Sequence, residues 1–332
     1  MKVAERAGVS PTTVSHVLNH ADRVSDHLRA RVLQAIEELG YIPNSNAKSL
    51  RTGRSNIVAL LIPDIQNSFY TELVRAAQTE LRKTGRDVMV FNADVPGGNP
   101  KAHSRQYLEE VRSKGIDGLI VGDFALHGMY DAIERVTIPS VFVGFLPNGG
   151  VDNVRAADYD GCHMIARHLV GKGHSRIAHV TGPADFPAAM MRRDGFRDGC
   201  LSAGLDPDAL IVRTGTYLSP SGEAAIHKMF GPAAPDERPT AVFFSNLLMC
   251  RGGLAAIGDL GLSIPDDVAV AVFGNMDSME YIRPRLTRVG VDPRNLAVRA
   301  VQMLVDRMDG TAPGNDLRSE MMECSLVLGD SA

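Results

Sequence analysis

Thr12 and His16 stand four residues apart in a stretch with the pattern of a short helix. That spacing puts them on one face, with Thr13 and Ser15 beside them. A hydroxyl and an imidazole held there can hydrogen-bond base edges, and hydroxyls also reach phosphate oxygens. Any solvated helix shows a similar face, so the residue types alone leave both readings open. His163, His168, His174 and His179 suggest a metal, but their spacing fits no zinc pattern. The sequence holds no Gly-x-Ser-x-Gly, phosphate loop or dinucleotide fingerprint. The chain is therefore read as a non-enzyme, with no catalytic residue, metal or cofactor.

The elements around Thr12 and His16 give them a frame. Val3, Ala4 and Ala7 form an apolar stripe that Gly8 breaks. Ser10 offers an N-cap oxygen and Pro11 suits the first helical position. A second helix is predicted from Pro11 to Leu18, with Val14, Val17 and Leu18 inward. A third, capped by Ser25, buries Leu28, Val32, Ile36 and Leu39 and stops at Gly40. Helix, tight glycine turn, and helix with an outward polar face is the geometry that enters a major groove.

The strings Val3-Ala4-Glu5-Arg6-Ala7-Gly8-Val9-Ser10, Thr13-Val14-Ser15-His16-Val17-Leu18-Asn19 and Gly40-Tyr41-Ile42-Pro43-Asn44 closely resemble the head of the lactose-repressor (LacI/GalR) family. The resemblance implies that Pro11, Thr12 and His16 face base edges. Pro11 has no side-chain donor, so hydrogen bonding falls on Thr12 and His16. Many family members carry Arg at the His16 position, and this chain looks more like the purine-repressor branch there. A single imidazole bond in place of a bidentate guanidinium softens base preference. Ser10, Thr13, Ser15, Asn19 and Ser25 match phosphate-holding positions. In Ala47-Lys48-Ser49-Leu50-Arg51-Thr52-Gly53-Arg54-Ser55 the resemblance implies a hinge helix that orders on DNA, where a plain linker is the other reading. Leu50 would wedge into the minor groove and bend the duplex, beside Asn44 and Ala47. Lys48, Arg51 and Arg54 are placed for phosphates. Family members begin a few residues earlier, with a capping Thr, so the expectation is that Met1 is internal to the reading frame or that the chain is cut.

Charge agrees with this division. Residues 1–55 carry a net +3 and the remainder −7 within a total of −4. A basic head on an acidic body fits a head that meets phosphates. The four cysteines have neither metal-ligand nor redox spacing. With no signal-like start and no long apolar run, the expected location is cytoplasmic.

From residue 56 onward, apolar β-rich runs alternate with amphipathic stretches. Strands are predicted at 57–62, 87–91, 118–121 and 141–143, and again at 176–180, 210–212, 241–244 and 268–273. Helices are predicted at 69–83 and 296–308. The fold class is therefore an all-α helix-turn-helix head plus an α/β body of two doubly wound parallel-sheet subdomains. Ligands of such sheets bind at the carboxyl ends of the strands. Ile62-Pro63-Asp64-Ile65-Gln66-Asn67-Ser68-Phe69-Tyr70, Gly115-Ile116-Asp117-Gly118-Leu119-Ile120 and Gly261-Leu262-Ser263-Ile264-Pro265-Asp266-Asp267-Val268 resemble the same family and its periplasmic binding protein-like relatives. Expected domains are a head at 1–44, a hinge at 45–56 and an effector-binding and dimerisation body at 57–332. Its subdomains are expected at 57–154 plus 287–318, and at 155–286 plus 319–332.

The expected effector site comprises Asp64, Phe69, Tyr70, Gly122, Gly144, Phe186, Met190, Asn246 and Gly274. By resemblance, polar side chains of sugar-binding relatives are replaced here at Gly122, Gly144, Met190, Leu247 and Gly274. Unpaired hydroxyls are costly on burial, so the expected effector is not an ordinary neutral hexose. It is either a larger, more apolar molecule packing on Phe69, Tyr70, Met190 and Met249, or an anionic metabolite such as a sugar acid. The methionines also read as ordinary core filler.

The resulting expectation is a repressor that binds pseudo-palindromic double-stranded operator DNA as a homodimer, under effector control. The end of the chain shows no heptad tail, which favours a dimer over a tetramer. A periplasmic binding protein is the rival reading for the body alone, and an activator or a protein-controlled co-regulator is a third.

Overall fold

A computed structural model describes residues 2–19, 24–41, 54–93, 100–123, 130–147, 149–231, 234, 237–313 and 316–332. The chain divides into two compact units, Met1–Ser55 and Asn56–Ala332. In the first unit, α1 (Lys2–Ala7), α2 (Pro11–Asn19) and α3 (Asp26–Glu38) enclose a small core. Val3, Ala4, Ala7, Val14, Val17, Val32 and Ala35 are buried there. Leu39 and Leu18, expected inward, are 43% and 37% exposed. At the end of α3 Ala35 takes the buried place instead. Gly40 adopts a left-handed φ of +56°, and the Tyr41 N–H returns to the Ile36 carbonyl at 3.0 Å, closing the helix.

The second unit consists of two lobes, each built on a six-stranded sheet. Lobe one contains β1 (Ile57–Ile62), α4 (Ser68–Lys83), β2 (Asp87–Asn92), α5 (Pro100–Ser113), β3 (Gly118–Gly122), α6 (Asp131–Glu134), β4 (Ser140–Val143) and β5 (Asp152–Ala156). Lobe two contains α7 (Asp158–Gly171), β6 (Ile177–Thr181), α8 (Pro187–Ser202), β7 (Leu210–Thr214), α9 (Ser219–Phe230), β8 (Ala241–Phe244), α10 (Leu247–Asp259), β9 (Ala269–Phe273) and β10 (Thr287–Gly290). The chain then returns to lobe one for α11 (Pro293–Asp309) and β11 (Ser319–Met322), and ends in lobe two with β12 (Ser325–Val327).

Strand order is β11-β5-β4-β3-β1-β2 in one sheet and β12-β10-β9-β8-β6-β7 in the other. The two lobes therefore repeat one doubly wound topology. All ladders are parallel except β10–β12, an antiparallel edge. The subdomain boundaries differ from expectation at three places: β5 runs on to Ala156, so 155–156 belong to lobe one, and two later strands change lobe. β10 pairs with β9, so residues 287–290 belong to lobe two, and β11 pairs with β5, so 319–322 belong to lobe one. These short strands at the crossings carry no long apolar run, so periodicity did not assign them.

Strands β1, β3, β4, β6, β8 and β9 are buried almost throughout because helices cover both faces. On α4, Tyr70, Leu73, Ala77 and Leu81 recur at helical spacing and are buried, each large side chain contributing about 1.5–3 kcal/mol of apolar burial. Asp152, only 1% exposed, is held by Arg307 at 2.9 Å and Arg318 at 2.6 Å. That pair of ion contacts fixes α11 and the approach to β11 against β5.

Candidate DNA-binding face and effector cleft

On α2 the cap comes from Ser10, whose Oγ accepts the Thr13 N–H at 3.1 Å and lies 2.9 Å from the Thr13 hydroxyl. Gly8 makes the preceding turn with φ +61°. Arg31 of α3 donates to the Ala7 carbonyl there at 2.6 Å, so the third helix clamps the turn. With Val14 and Val17 buried, Pro11, Thr12 and His16 are exposed and Thr13 and Ser15 are half-buried. Ser25 has the extended backbone of an N-cap but makes no side-chain cap bond, and it is exposed. Asn19 closes α2. Asn44, Ala47, Lys48, Leu50 and Arg51, with the expected hinge helix, lie outside the described residues.

Between the two lobes lies a cleft of about 350 Å³, at the small end of ligand sites. It forms where a doubly wound fold places its ligand, at the carboxyl ends of strands beside the β1/β3 and β6/β8 switch points. Lobe one contributes Pro63, Asp64, Asn67, Phe69 and Tyr70 after β1, Asp123 after β3, Gly144 after β4, and Arg155 with Ala156 on β5. Lobe two contributes Phe186, Ala188 and Arg192 after β6, Thr216 to Leu218 after β7, Asn246 to Leu248 after β8, Phe273 at the end of β9, and Gly274 and Met276 after it. Asp158, Val291 and Leu296 line it from the crossings between lobes.

Of the expected effector residues, Asp64, Phe69, Tyr70, Gly144, Phe186, Asn246 and Gly274 line the cleft. Gly122 and Met190 do not. A Cβ at Gly122 would stand 2.7 Å from the Tyr70 ring, so Tyr70 covers that position. Met190 is 43% exposed, and Arg192, two residues on, enters the cleft instead. Two helical residues turn a side chain by about 200°, so the arginine taken as lost is present. Met249 is fully buried core, consistent with the filler reading.

Asn246 is largely committed to structure. Its Oδ1 accepts the Met249 N–H at 2.9 Å as the cap of α10, and its Nδ2 donates to the Tyr217 carbonyl at 2.8 Å. Arg192 donates to Asp158 and to the Ser245 carbonyl, both at 2.7 Å, and its guanidinium lies 3.8 Å from the Phe273 ring centre. Asp123 is buried and its Oδ1 has no hydrogen-bond partner among the described residues. Burial, and then the Asp158 charge, push its carboxyl up to about 7. Behind the cleft, His179 packs tilted against the stacked rings of Phe196 and Phe243, 4.7 and 4.9 Å from their centres, and is bonded to the Ser245 hydroxyl at 2.8 Å. Burial, then Arg192, lower its pKa to about 3, so it is neutral and structural. Among the described residues no cluster of His, Cys, Asp and Glu could hold a metal ion. No described helix is long and apolar enough to cross a membrane.

Sequence reasoning missed Asp123, Arg155, Asp158 and Arg192. Asp123 directly follows β3 at a switch point, and that position was the available signal; Arg155 lies within β5, Asp158 opens α7 at a crossing between lobes, and Arg192 lies inside α8, places that carry no such signal.

Residues 1–44 match the family model for bacterial regulatory proteins of the lacI family, and residues 166–332 match that for a periplasmic binding protein-like domain. The ribose operon repressor of Escherichia coli (strain K12) is 32% identical over 92% of both chains. The HTH-type transcriptional repressor PurR of Histophilus somni (strain 129Pt) is 28% identical over 92% of this chain and 91% of its own. The Lac repressor dimer bound to operator and the anti-inducer ONPF superposes with a TM-score of 0.83 at 26% identity, covering 99% of this chain and 97% of that one.

Proposed function

The chain belongs to the lacI family of bacterial regulatory proteins, and on that premise we propose that it is a repressor whose hold on operator DNA is set by a small molecule in the cleft between its lobes. The observation that carries this reading is the presence in one chain of both parts of a regulated repressor. One is a capped helix with Thr12 and His16 exposed, and the other is a cleft at paired switch points. Two copies place two heads on the half-sites of a pseudo-palindrome. Thr12 and His16 read base edges, while Ser15, Asn19 and Ser25 meet phosphates. Ser10 and Thr13 are bonded to each other and shape the helix start as well. Asn44, Ala47, Lys48, Leu50 and Arg51 carry the hinge contacts. The protein acts as a binding switch in the cytoplasm and performs no catalysis.

Effector and operator are coupled because the effector has different affinities for two poses of the lobes, so DNA must alter effector affinity by the same factor. Asp64, Phe69, Tyr70, Phe186 and Asn246 hold the effector, joined by Asp123, Arg155, Asp158 and Arg192. The effector is not an ordinary neutral hexose.

The test is fluorescence anisotropy of the full chain on DNA flanking its own gene, at two salt concentrations and against unrelated DNA. Salt-sensitive, sequence-selective binding that shifts with a cleft ligand is expected. Equal affinity for both DNAs would overturn the reading.

A further inference from the structure

One register row crosses the floor of lobe one. Gly122, Val143 and Val154 are paired neighbours on β3, β4 and β5. One residue further along stand Asp123, Gly144 and Arg155, all lining the cleft. At about 4.8 Å per strand, Asp123 and Arg155 begin about 10 Å apart. The Asp123 side chain leans over Gly144, since its Cβ, Cγ and Oδ2 all lie within 2.8 Å of the place a Gly144 Cβ would take. The carboxyl therefore extends toward the middle strand.

The two ends of this row have unmet needs. Arg155 faces the Phe145 ring, 5.2 Å from its centre, and the Met191 sulfur at 3.8 Å. No carboxylate pairs with it among the described residues. The other cleft arginine, Arg192, already has Asp158. At the other end the Asp123 carboxyl is met by the Phe145 backbone and the Tyr130 side chain, but its buried Oδ1 has no partner among the described residues. Buried polar atoms are rarely left so, and a ligand group supplies what the fold does not. A hydroxyl suits Asp123 best because it donates to a carboxylate and accepts from a carboxylic acid. A carboxylate suits Arg155, whose planar fork binds it with two bonds. The aromatic walls Phe69, Tyr70, Phe186 and Phe273 offer faces for C–H groups.

We propose that the cleft ligand is a monocarboxylate of a polyhydroxylated compound of monosaccharide size, with its carboxylate on Arg155 and a hydroxyl on Asp123. This rests on the reading of the cleft as an effector site and names the chemical class it takes. A phosphate ester fits less well. Its second negative charge would face Asp123 and Asp158 with a single open guanidinium to meet it.

Calorimetry on the full chain tests the proposal, using D-galacturonate and D-gluconate against D-galactose, D-glucose and D-glucose 6-phosphate. At least one acid is expected to bind at micromolar concentration, with its neutral counterpart at least about 30-fold weaker. Arg155→Met is expected to weaken the acid by a similar factor and leave neutral sugars unchanged. Arg155→Lys should recover part of the loss. Melting curves of both variants separate binding loss from unfolding. Binding of a neutral sugar as tight as its acid, tighter binding of the phosphate, no binding of either acid, or an Arg155→Met protein that binds the acid unchanged would each overturn the proposal. The regulator reading is judged separately, by operator binding in anisotropy, and stands or falls on that.

Discussion

The side chain of Asp123 stands where a side chain at residue 144 would have to be. A Cβ built on Gly144 lies 2.5 Å from the Asp123 Cβ and 2.8 Å from its Oδ2. The sequence places a glycine after β4 where the family resemblance implies a polar side chain, and the structure supplies a carboxylate next to β3 instead. The polar group is moved by one strand, and the glycine is the condition for that move.

Gly144→Ala should therefore be costly on two counts. The added carbon meets Asp123, and the φ of +138° is one that residues with a side chain rarely adopt. A loss of about 2–4 kcal/mol is expected in chemical unfolding. Asp123→Gly in the same protein, which removes the Cβ that lies nearest, should restore the steric part and leave the backbone strain. Full additivity of the two losses would show that the residues do not meet.

The Asp123 carboxyl titrates at about 7 in the folded protein, against about 3.9 in an unfolded chain. Between those values the folded form keeps a proton that the unfolded form has released. Stability therefore falls as pH rises through this window, and the loss is complete above about 7. Asp123→Asn removes the titration while keeping the shape. Its melting temperature should exceed that of the parent by several degrees at pH 8 and by much less at pH 4.5. Equal gaps at both values would assign the pH dependence elsewhere.

These two residues also show what the sequence could and could not reveal. The switch-point architecture was legible, because apolar runs at 57–62 and 241–244 coincide with observed strands. Asp64, Phe69 and Tyr70 were legible because the string Ile62 to Tyr70 resembles the family, and Phe186 by the same resemblance in the segment after β6. Asp123 was missed because its neighbour Gly122 was taken as the aligned position, and successive strand residues face opposite ways. Met190 was preferred to Arg192 because a two-residue slip within a helix reverses the face. Cross-strand compensation is a tertiary relation, and one chain read linearly contains no sign of it.

The lobes are joined across the cleft by a clasp outside the ligand pocket. Arg294 at the start of α11 donates to Asp277 of lobe two at 2.6 Å. Glu72 of α4 accepts the backbone N–H groups of Asp277 and Ser278 at 3.3 and 3.5 Å. These contacts exist only while the lobes hold this pose. Asp277→Asn should change thermal stability little, because exposed ion pairs are weak. It should nevertheless lower effector affinity by roughly two- to five-fold through the lobe equilibrium. Calorimetry with the cleft ligand checks this, and unchanged affinity would mean that the clasp does not distinguish the two poses.

On the DNA side, His16 and Ser25 should separate by the kind of loss they produce. His16 is exposed on the face of α2 that Val14 and Val17 leave outward, one turn from Thr12. His16→Ala should cost about 1–3 kcal/mol on the preferred operator and relax discrimination at one base pair in each half-site. Ser25→Ala should weaken all sequences alike, because a phosphate contact carries no sequence information. Anisotropy on operators substituted one base pair at a time reads both effects. A uniform loss for His16→Ala would move His16 to the phosphate backbone and leave Thr12 as the reading residue on that face.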